Sequence, residues 1–398
     1  MYNLQKRIQS IDVLRGIVMV IMALDHVRDY FHLTAWTDDP LNLETTTPGL
    51  FFTRYITHFC APIFVFLSGT SVYLQSLRKT KNQLSVFLFK RGLWLIFVEF
   101  AIVNFAWTFN PSYQTQIFQV IWTIGISMFI LGFIIRLPYN FILGIGLLIV
   151  LGHNLLDFPE AVSGFKAGFW WDLLHHGHAV FYPINANHSA FIFYPFLPWT
   201  GLMILGYCLG KLFIPEFSMT QRAIIFNRLG IVLLVLFVVL RGINFYGDPL
   251  PWQYQQNNFY TFLSFLNVQK YPPSLLYMAI TIGMALFALA FLEKIENRFT
   301  NTMVIFGRTA FFYYILHLFL IHTLAFINYF INGHSIAAIS IFSTKYNIPF
   351  LGVVSADGFG LKMVYVIWIV VILILFPICK FYDRYKTENK KNWWLSYL

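Results

Sequence analysis

Residues 10–31 read SIDVLRGIVMVIMALDHVRDYF, an apolar stretch interrupted by Asp12, Arg15, His26 and Asp29. Crossing the hydrocarbon core as a helix takes about 20 mostly apolar residues, so this stretch is long enough to span a membrane. The positions Asp12, Arg15, Met19, Met22, His26 and Asp29 are three or four apart in turn, which places all six on one helical stripe. The expected element is therefore a membrane span with a polar face. A charge inside such a span costs about 2.5–3.5 kcal/mol on insertion scales, so it faces a cavity, pairs with a partner or serves function. A structural alternative places Asp12 and Arg15 at one headgroup layer and His26 and Asp29 at the other.

The rest of the chain has the same character. Of its 398 residues 58% are hydrophobic, 20% aromatic and 11% charged, and the mean hydropathy is +0.65. Soluble domains carry about 25% charged residues, so a soluble enzyme, a nucleic-acid-binding domain and a disordered chain are excluded. Ten apolar runs lie near 10–31, 50–76, 84–107, 114–135, 138–153, 190–213, 224–243, 273–293, 303–330 and 361–382. The fold class expected is all-α: a polytopic integral membrane protein of about ten transmembrane helices, one domain over 1–398, its partner the lipid bilayer. Asp12 and Arg15 interrupt the first run and no small-residue cleavage site follows, so it reads as a retained span rather than a signal peptide.

Nineteen Lys and Arg residues fall in one set of alternate connections and seven in the other, with Arg15 inside the first helix set aside. Cytoplasmic loops carry the excess, so both termini are expected in the cytoplasm of a bacterial-type plasma (inner) membrane. The formal net charge of +10 thus reports topology, not nucleic acid. Long connections near 154–189, 244–272 and 331–360 would lie outside, and Trp393, Trp394 and Tyr397 fit an interfacial anchor. Cys60, Cys208 and Cys379 all sit in apolar runs and offer neither disulfide nor metal spacing.

Further polar residues fall inside the expected spans. In the second run Arg54, His58, Pro62, Val65 and Gly69 form another stripe, with His58 at about the depth of His26. The ninth run carries Arg308, His317 and His322; Arg308 and His317 are half a turn out of phase, and His317 is preferred over His322 for its depth. The third carries Lys90, Arg91, Glu99 and Asn104. A lone intramembrane histidine also serves as an ordinary interhelical hydrogen-bonding group. The loop histidines His175, His176 and His178 lack a carboxylate or cysteine spaced to complete a site, so no metal is expected. Gly201, Gly206 and Gly210 after Pro195 and Pro198 suggest close packing around a kink.

Four stretches together carry a resemblance: SIDVLRGIVMVIMALDHVRDYF at 10–31, ITHFCAPIFVFLSGTSVYL at 56–74, FYPFLPWTGLMILGYCLGKLF at 193–213 and FGRTAFFYYILHLFLIH at 306–322. In this order they resemble the heparan-alpha-glucosaminide N-acetyltransferase catalytic-domain family, and the likeness extends over nearly the whole chain. The resemblance implies an acyltransferase carrying an acyl group, acetyl in the first instance, from cytoplasmic acyl-CoA to an acceptor across the membrane. That acceptor would be a hydroxyl or amine on a glycan, lipid-linked sugar or small metabolite. The eleven-residue spacing of Arg15 and His26 also resembles the first helix of the related acyltransferase-3 branch, whose histidine is the catalytic base. In the lysosomal branch the catalytic histidine precedes the second helix, where this chain has ETTTPGLFF at 44–52 and no histidine. His26 is therefore the leading base and His58 the second candidate. Asp29 or Asp25 would orient the ring, and His58 or His317 would stabilise the oxyanion. Arg15, Lys90, Arg91 and Arg308 would hold the acetyl-CoA phosphates. Direct transfer and an acyl-histidine intermediate both fit, and a homodimer is left open. From the polar stripe alone, a transporter or lipid flippase is the alternative.

Overall fold

The computed structural model describes residues 8–176, 179–335, 341–343, 349–389 and 391–396. Lys6, Arg7, His178, Lys345, Lys390 and Tyr397 lie outside the described residues. Fourteen helices are labelled here: α1 Gln9–Phe31, α2 Pro48–Thr57, α3 Cys60–Ser76, α4 Lys81–Val98, α5 Asn104–Thr108, α6 Val120–Ile134, α7 Tyr139–Gly152, α8 Phe196–Leu209, α9 Met219–Ile243, α10 Asn258–Leu266, α11 Leu275–Leu292, α12 Arg298–Arg308, α13 Ala310–Ile331 and α14 Leu361–Glu388.

Among the described residues, seven helical stretches are long and apolar enough to cross a membrane: Pro48–Ser76, Tyr139–Glu160, Phe196–Phe213, Met219–Ile243, Leu275–Leu292, Ala310–Ile331 and Leu361–Glu388. The other three expected runs are helical too. α1 is dense in charge, α4 to α5 is one path through a π-helical turn at Glu99–Val103, and α6 has only 15 residues. Short caps start the helices where the apolar runs begin. Thr80 and Gln83 form a capping box at α4, as do Ser218 and Gln221 at α9, which satisfies amide hydrogens that otherwise have no partner.

The chain is mostly helical rather than purely so. Strands β1 Thr115–Phe118, β2 Val180–Pro183 and β3 Ser189–Ile192 form a sheet in the order β1-β3-β2, with β1 parallel to β3 in the register Thr115 to Ser189. A second pair joins Ile341–Ser343 to Pro349–Leu351. The expected runs at 114–135 and 190–213 thus begin as strands, where Asn104 binds the amide and the carbonyl of Ile117. The first long connection also starts later than expected, because helical turns continue from α7 through Glu160.

Two runs are broken where the sequence suggested continuity. The second splits at His58 and Phe59. Pro62 has no amide hydrogen to give the carbonyl of His58, and that carbonyl accepts instead from the Tyr277 hydroxyl at 2.6 Å. The ninth splits at Thr309, between α12 and α13. By contrast Pro195 and Pro198 produce no kink. Pro195 caps α8 and Pro198 lies in its first turn, where a missing amide hydrogen costs nothing.

Close backbone approach sets the central crossings. A Cβ on Gly16 would fall 1.9 Å from the Met303 carbonyl oxygen, and one on Gly307 would fall 1.9 Å from that of Asp12. α1 and α12 therefore meet main chain to main chain, bringing Arg15 and Arg308 to the same crossing. Over-packing typically costs about 1–3 kcal/mol, and a backbone oxygen has no rotamer to yield. Gly307→Val should lower the thermal unfolding midpoint in detergent clearly, whereas Gly144→Ala, with nothing within 4 Å, should leave it unchanged.

Candidate functional site

The C-terminal half of α1 forms one wall of a cavity of about 600 Å³. Met22, Asp25, His26, Arg28 and Asp29 come from α1, Arg54 from α2, His58 from the break, and Lys270 and Tyr271 from the connection before α11. Trp107, Phe191, Tyr194 and Tyr314 supply aromatic walls, and Asp38 and Asp39 lie among the connection residues that reach it. His26 and His58, separated by 32 positions in sequence, thus line one space.

His26 has a defined partner. Its Nδ1 lies 2.7 Å from Nε2 of His317, and Nδ1 of His317 lies 3.0 Å from the Tyr313 carbonyl oxygen. A carbonyl only accepts, so the His317 proton sits on Nδ1 and its Nε2 carries a lone pair. The His26 proton therefore sits on Nδ1, donating to His317, which leaves Nε2 of His26 as the basic nitrogen. Trp107 packs edge-on against the His26 ring, centroids 4.9 Å apart. His317 is wholly buried behind His26 and is not part of the cavity wall.

The acids do other work than orienting that ring. Asp25 is buried and accepts from both Arg54 Nη1 at 2.6 Å and Arg28 Nη2 at 3.0 Å. Asp29 accepts from Arg28 at 2.6 Å. Asp25 and Asp29, the alternatives expected to orient the His26 ring, both belong to this ionic cluster. Lys270, largely buried, makes no ion pair among the described residues and sits over the Tyr271 ring at 5.0 Å. Lys270 was not singled out from sequence, whereas Arg54 stood on the stripe of the second run. The available signal was that Asp248 and Lys270 are the sole acid and base in 244–272.

That connection is built around Arg241. Its guanidinium donates to the carbonyls of Leu250, Ser264, Phe265 and Asn267, stopping α10 and delivering Lys270 to the cavity. Asp248 stands 3.6 Å away and accepts from the Gln269 amide and the Ser274 hydroxyl. Burial pushes its carboxyl above the usual range, with Arg241 opposing.

The four basic residues expected at the donor phosphates are not in the cavity wall. Arg15 pairs with Asp12 at 3.3 Å and donates to Ser71 at 2.8 Å. Arg308 pairs with Asp383 at 3.0 Å and bonds Thr387, while Arg91 lies over the Phe311 ring at 5.4 Å. Lys90 is exposed. Since Phe311 follows Arg308 by three residues and α12 crosses α1 at Arg15, three of the four gather at the α1 N-terminal end of the bundle. His322 is held by the Ala106 and Leu351 carbonyls and stacks on Phe109, a packing role. Glu99 is fully buried and accepts from the Trp122 amide. Contrary to the spacing argument in the loop, His175 does meet carboxylates, Asp157 and Glu160, whereas His176 bonds Asp172.

The family model for heparan-alpha-glucosaminide N-acetyltransferase, catalytic, matches residues 7–246. The chain belongs to that family. It is thereby a member of a membrane acetyltransferase family, and the matched stretch contains Arg15, His26, His58, Lys90 and Arg91, while Lys270, Arg308 and His317 come from the remainder of the chain. Comparison with the curated proteins finds no match.

Removing one member of a buried ion pair costs about 3–5 kcal/mol because it strands the other charge. Asp25→Asn takes from Arg54 its carboxylate and leaves Arg28 only Asp29, whereas Asp29→Asn leaves both guanidiniums on Asp25. Thermal unfolding of the purified protein should therefore show a markedly larger loss for Asp25→Asn than for Asp29→Asn.

Proposed function

We propose that the protein transfers an acetyl group from cytoplasmic acetyl-CoA to an acceptor hydroxyl or amine on the other side of the membrane. The observation that carries this reading is the oriented pair of His26 and His317, which leaves a basic nitrogen on the wall of a cavity in an acetyltransferase-family chain. In this reading all ten helical runs cross a bacterial inner membrane and both termini are cytoplasmic. Arg15, Lys90, Arg91 and Arg308 then lie at the inner end, suited to the anionic phosphates of the donor, and the cavity faces outward.

Nε2 of His26 takes the acceptor proton as the acceptor oxygen or nitrogen attacks the thioester carbonyl carbon. The carbonyl π pair moves onto oxygen, and His58 and Lys270 on the same cavity stabilise that oxyanion. Collapse breaks the C–S bond, and the coenzyme A thiolate recovers the proton from His26. Acetylated acceptor and free thiol result. His317 acts as a positioning residue, holding the His26 tautomer as the third member of a triad does. Asp25, Arg28 and Arg54 hold the wall in shape, and Lys270 with the aromatic residues offers hydrogen bonds and stacking to a glycan, lipid-linked sugar or small polar metabolite.

Loss of a general base costs about 10²–10⁴ in rate. His26→Ala should lose thioester consumption to that extent while still binding coenzyme A. His317→Ala should lower kcat with KM nearly unchanged, and His317→Gln, which retains an acceptor, should recover part of it. Full acetyl transfer by the His26 variant would remove the catalytic reading, and substrate movement across vesicles without thioester consumption would favour a transporter.

The orientation is tested separately. A cysteine at Tyr254, which is exposed, should react with an impermeant thiol reagent in intact cells, and one at Glu388 should react only after lysis. The opposite pattern reverses the topology.

A further inference from the structure

Away from the cavity, the turn after α7 and the π-helical turn Asp172–His176 bring two imidazoles and two carboxylates together. Nδ1 of His175 lies 2.9 Å from Glu160 Oε1. A carboxylate accepts, so the His175 proton sits on Nδ1 and its lone pair on Nε2. That Nε2 is 3.1 Å from Nδ1 of His153 and 4.0 Å from Oδ1 of Asp157. His175 is fully buried and His153 nearly so.

We propose that His153, Asp157 and His175 bind a zinc-type divalent cation, with Glu160 as the carboxylate behind His175. Two nitrogens on one zinc at about 2.0–2.1 Å and a tetrahedral angle stand roughly 3.3 Å apart, and no two ligand atoms of such an ion exceed about 4.2 Å. The 3.1 Å between the two nitrogens matches the first value, and the 4.0 Å from His175 to Asp157 lies inside the outer limit. Ligating histidines characteristically give their second N–H to a carboxylate, the arrangement Glu160 makes. Asp157 is likewise fixed through its other oxygen, which accepts from Asn154 at 2.6 Å, and Trp171 donates to Glu160. Imidazole with one carboxylate suits zinc and its neighbours rather than magnesium or calcium, which take all-oxygen shells. A water completes the shell.

The cation would fasten the end of α7 to the π-helical turn across the connection 161–171. Asp172 of that turn binds the Tyr182 hydroxyl on β2, and β2 pairs with β3, whose Phe191 lines the cavity. The ion is a structural clasp and stands independently of acetyl transfer.

The test uses full-length, tag-free protein in detergent, stripped with a chelator and dialysed against zinc chloride or cobalt chloride. Elemental analysis should find one zinc per chain, and the cobalt form should show the intense visible bands of a tetrahedral nitrogen–oxygen site. Glu160→Gln should weaken zinc binding by roughly 10- to 100-fold, Asp157→Asn should weaken it further, and His153→Ala/His175→Ala should abolish it. Zinc should also slow proteolysis within 161–171 of the wild-type protein and not of Asp157→Asn. A stripped wild-type protein that takes up no zinc overturns the proposal, even if the double variant does not fold. So does zinc uptake that Glu160→Gln and Asp157→Asn leave unchanged.

Discussion

A carboxylate shared by two guanidiniums holds together the end of the bundle that carries the cavity. Asp25 on α1 accepts from Arg28 one turn on and from Arg54 on α2. In an apolar surrounding a single unpaired charge would cost several kcal/mol, so the three side chains are retained as a set or lost as a set. Their placement fixes how α2 leans on α1 and hence where the cavity lies. His26 follows Asp25 directly in the chain, so the same helix that anchors the ionic cluster presents the imidazole.

The two ends of α1 solve different problems. At its start the helix meets α12 through Gly16 and Gly307, where no side chain separates the backbones. Without a hydrophobic drive between helices in lipid, such contacts supply much of the packing energy. At its far end the helix faces a cavity, and side chains replace backbone as the contacting surface. The transition from tight crossing to open space occurs within one 23-residue helix.

Much of this was legible in the sequence. The helix positions follow from run length, and the stripe from Asp12 to Asp29 follows from a three-and-four spacing. His26 and His58 lie on one cavity as their matched depths implied. Other features were out of reach. Little local to Lys270 marks it, since its place depends on Arg241 gathering four carbonyls from the connection that follows α9. His26 bonds His317, while the neighbouring acids pair with Arg28 on the same helix and Arg54 on α2. Strands β1 and β3 were hidden inside apolar runs, since a buried four-residue strand and a helix start have the same composition. The His175 carboxylates escaped because Asp157 and Glu160 precede it by 18 and 15 residues, a separation that only the folded turns close.

The interruption at His58 also has a mechanical side. A continuous helix transmits tilt as a rod, because each turn is tied to the next by main-chain hydrogen bonds. At Pro62 that ladder is missing a rung, and a phenol on α11 holds the freed carbonyl. The segment Pro48–Thr57 is thus braced by side chains, through Arg54 to α1, Thr53 to Tyr365 and Tyr277 to His58. Its compliance is set by three replaceable contacts, so the stiffness of one cavity wall is itself a heritable, tunable property of the chain.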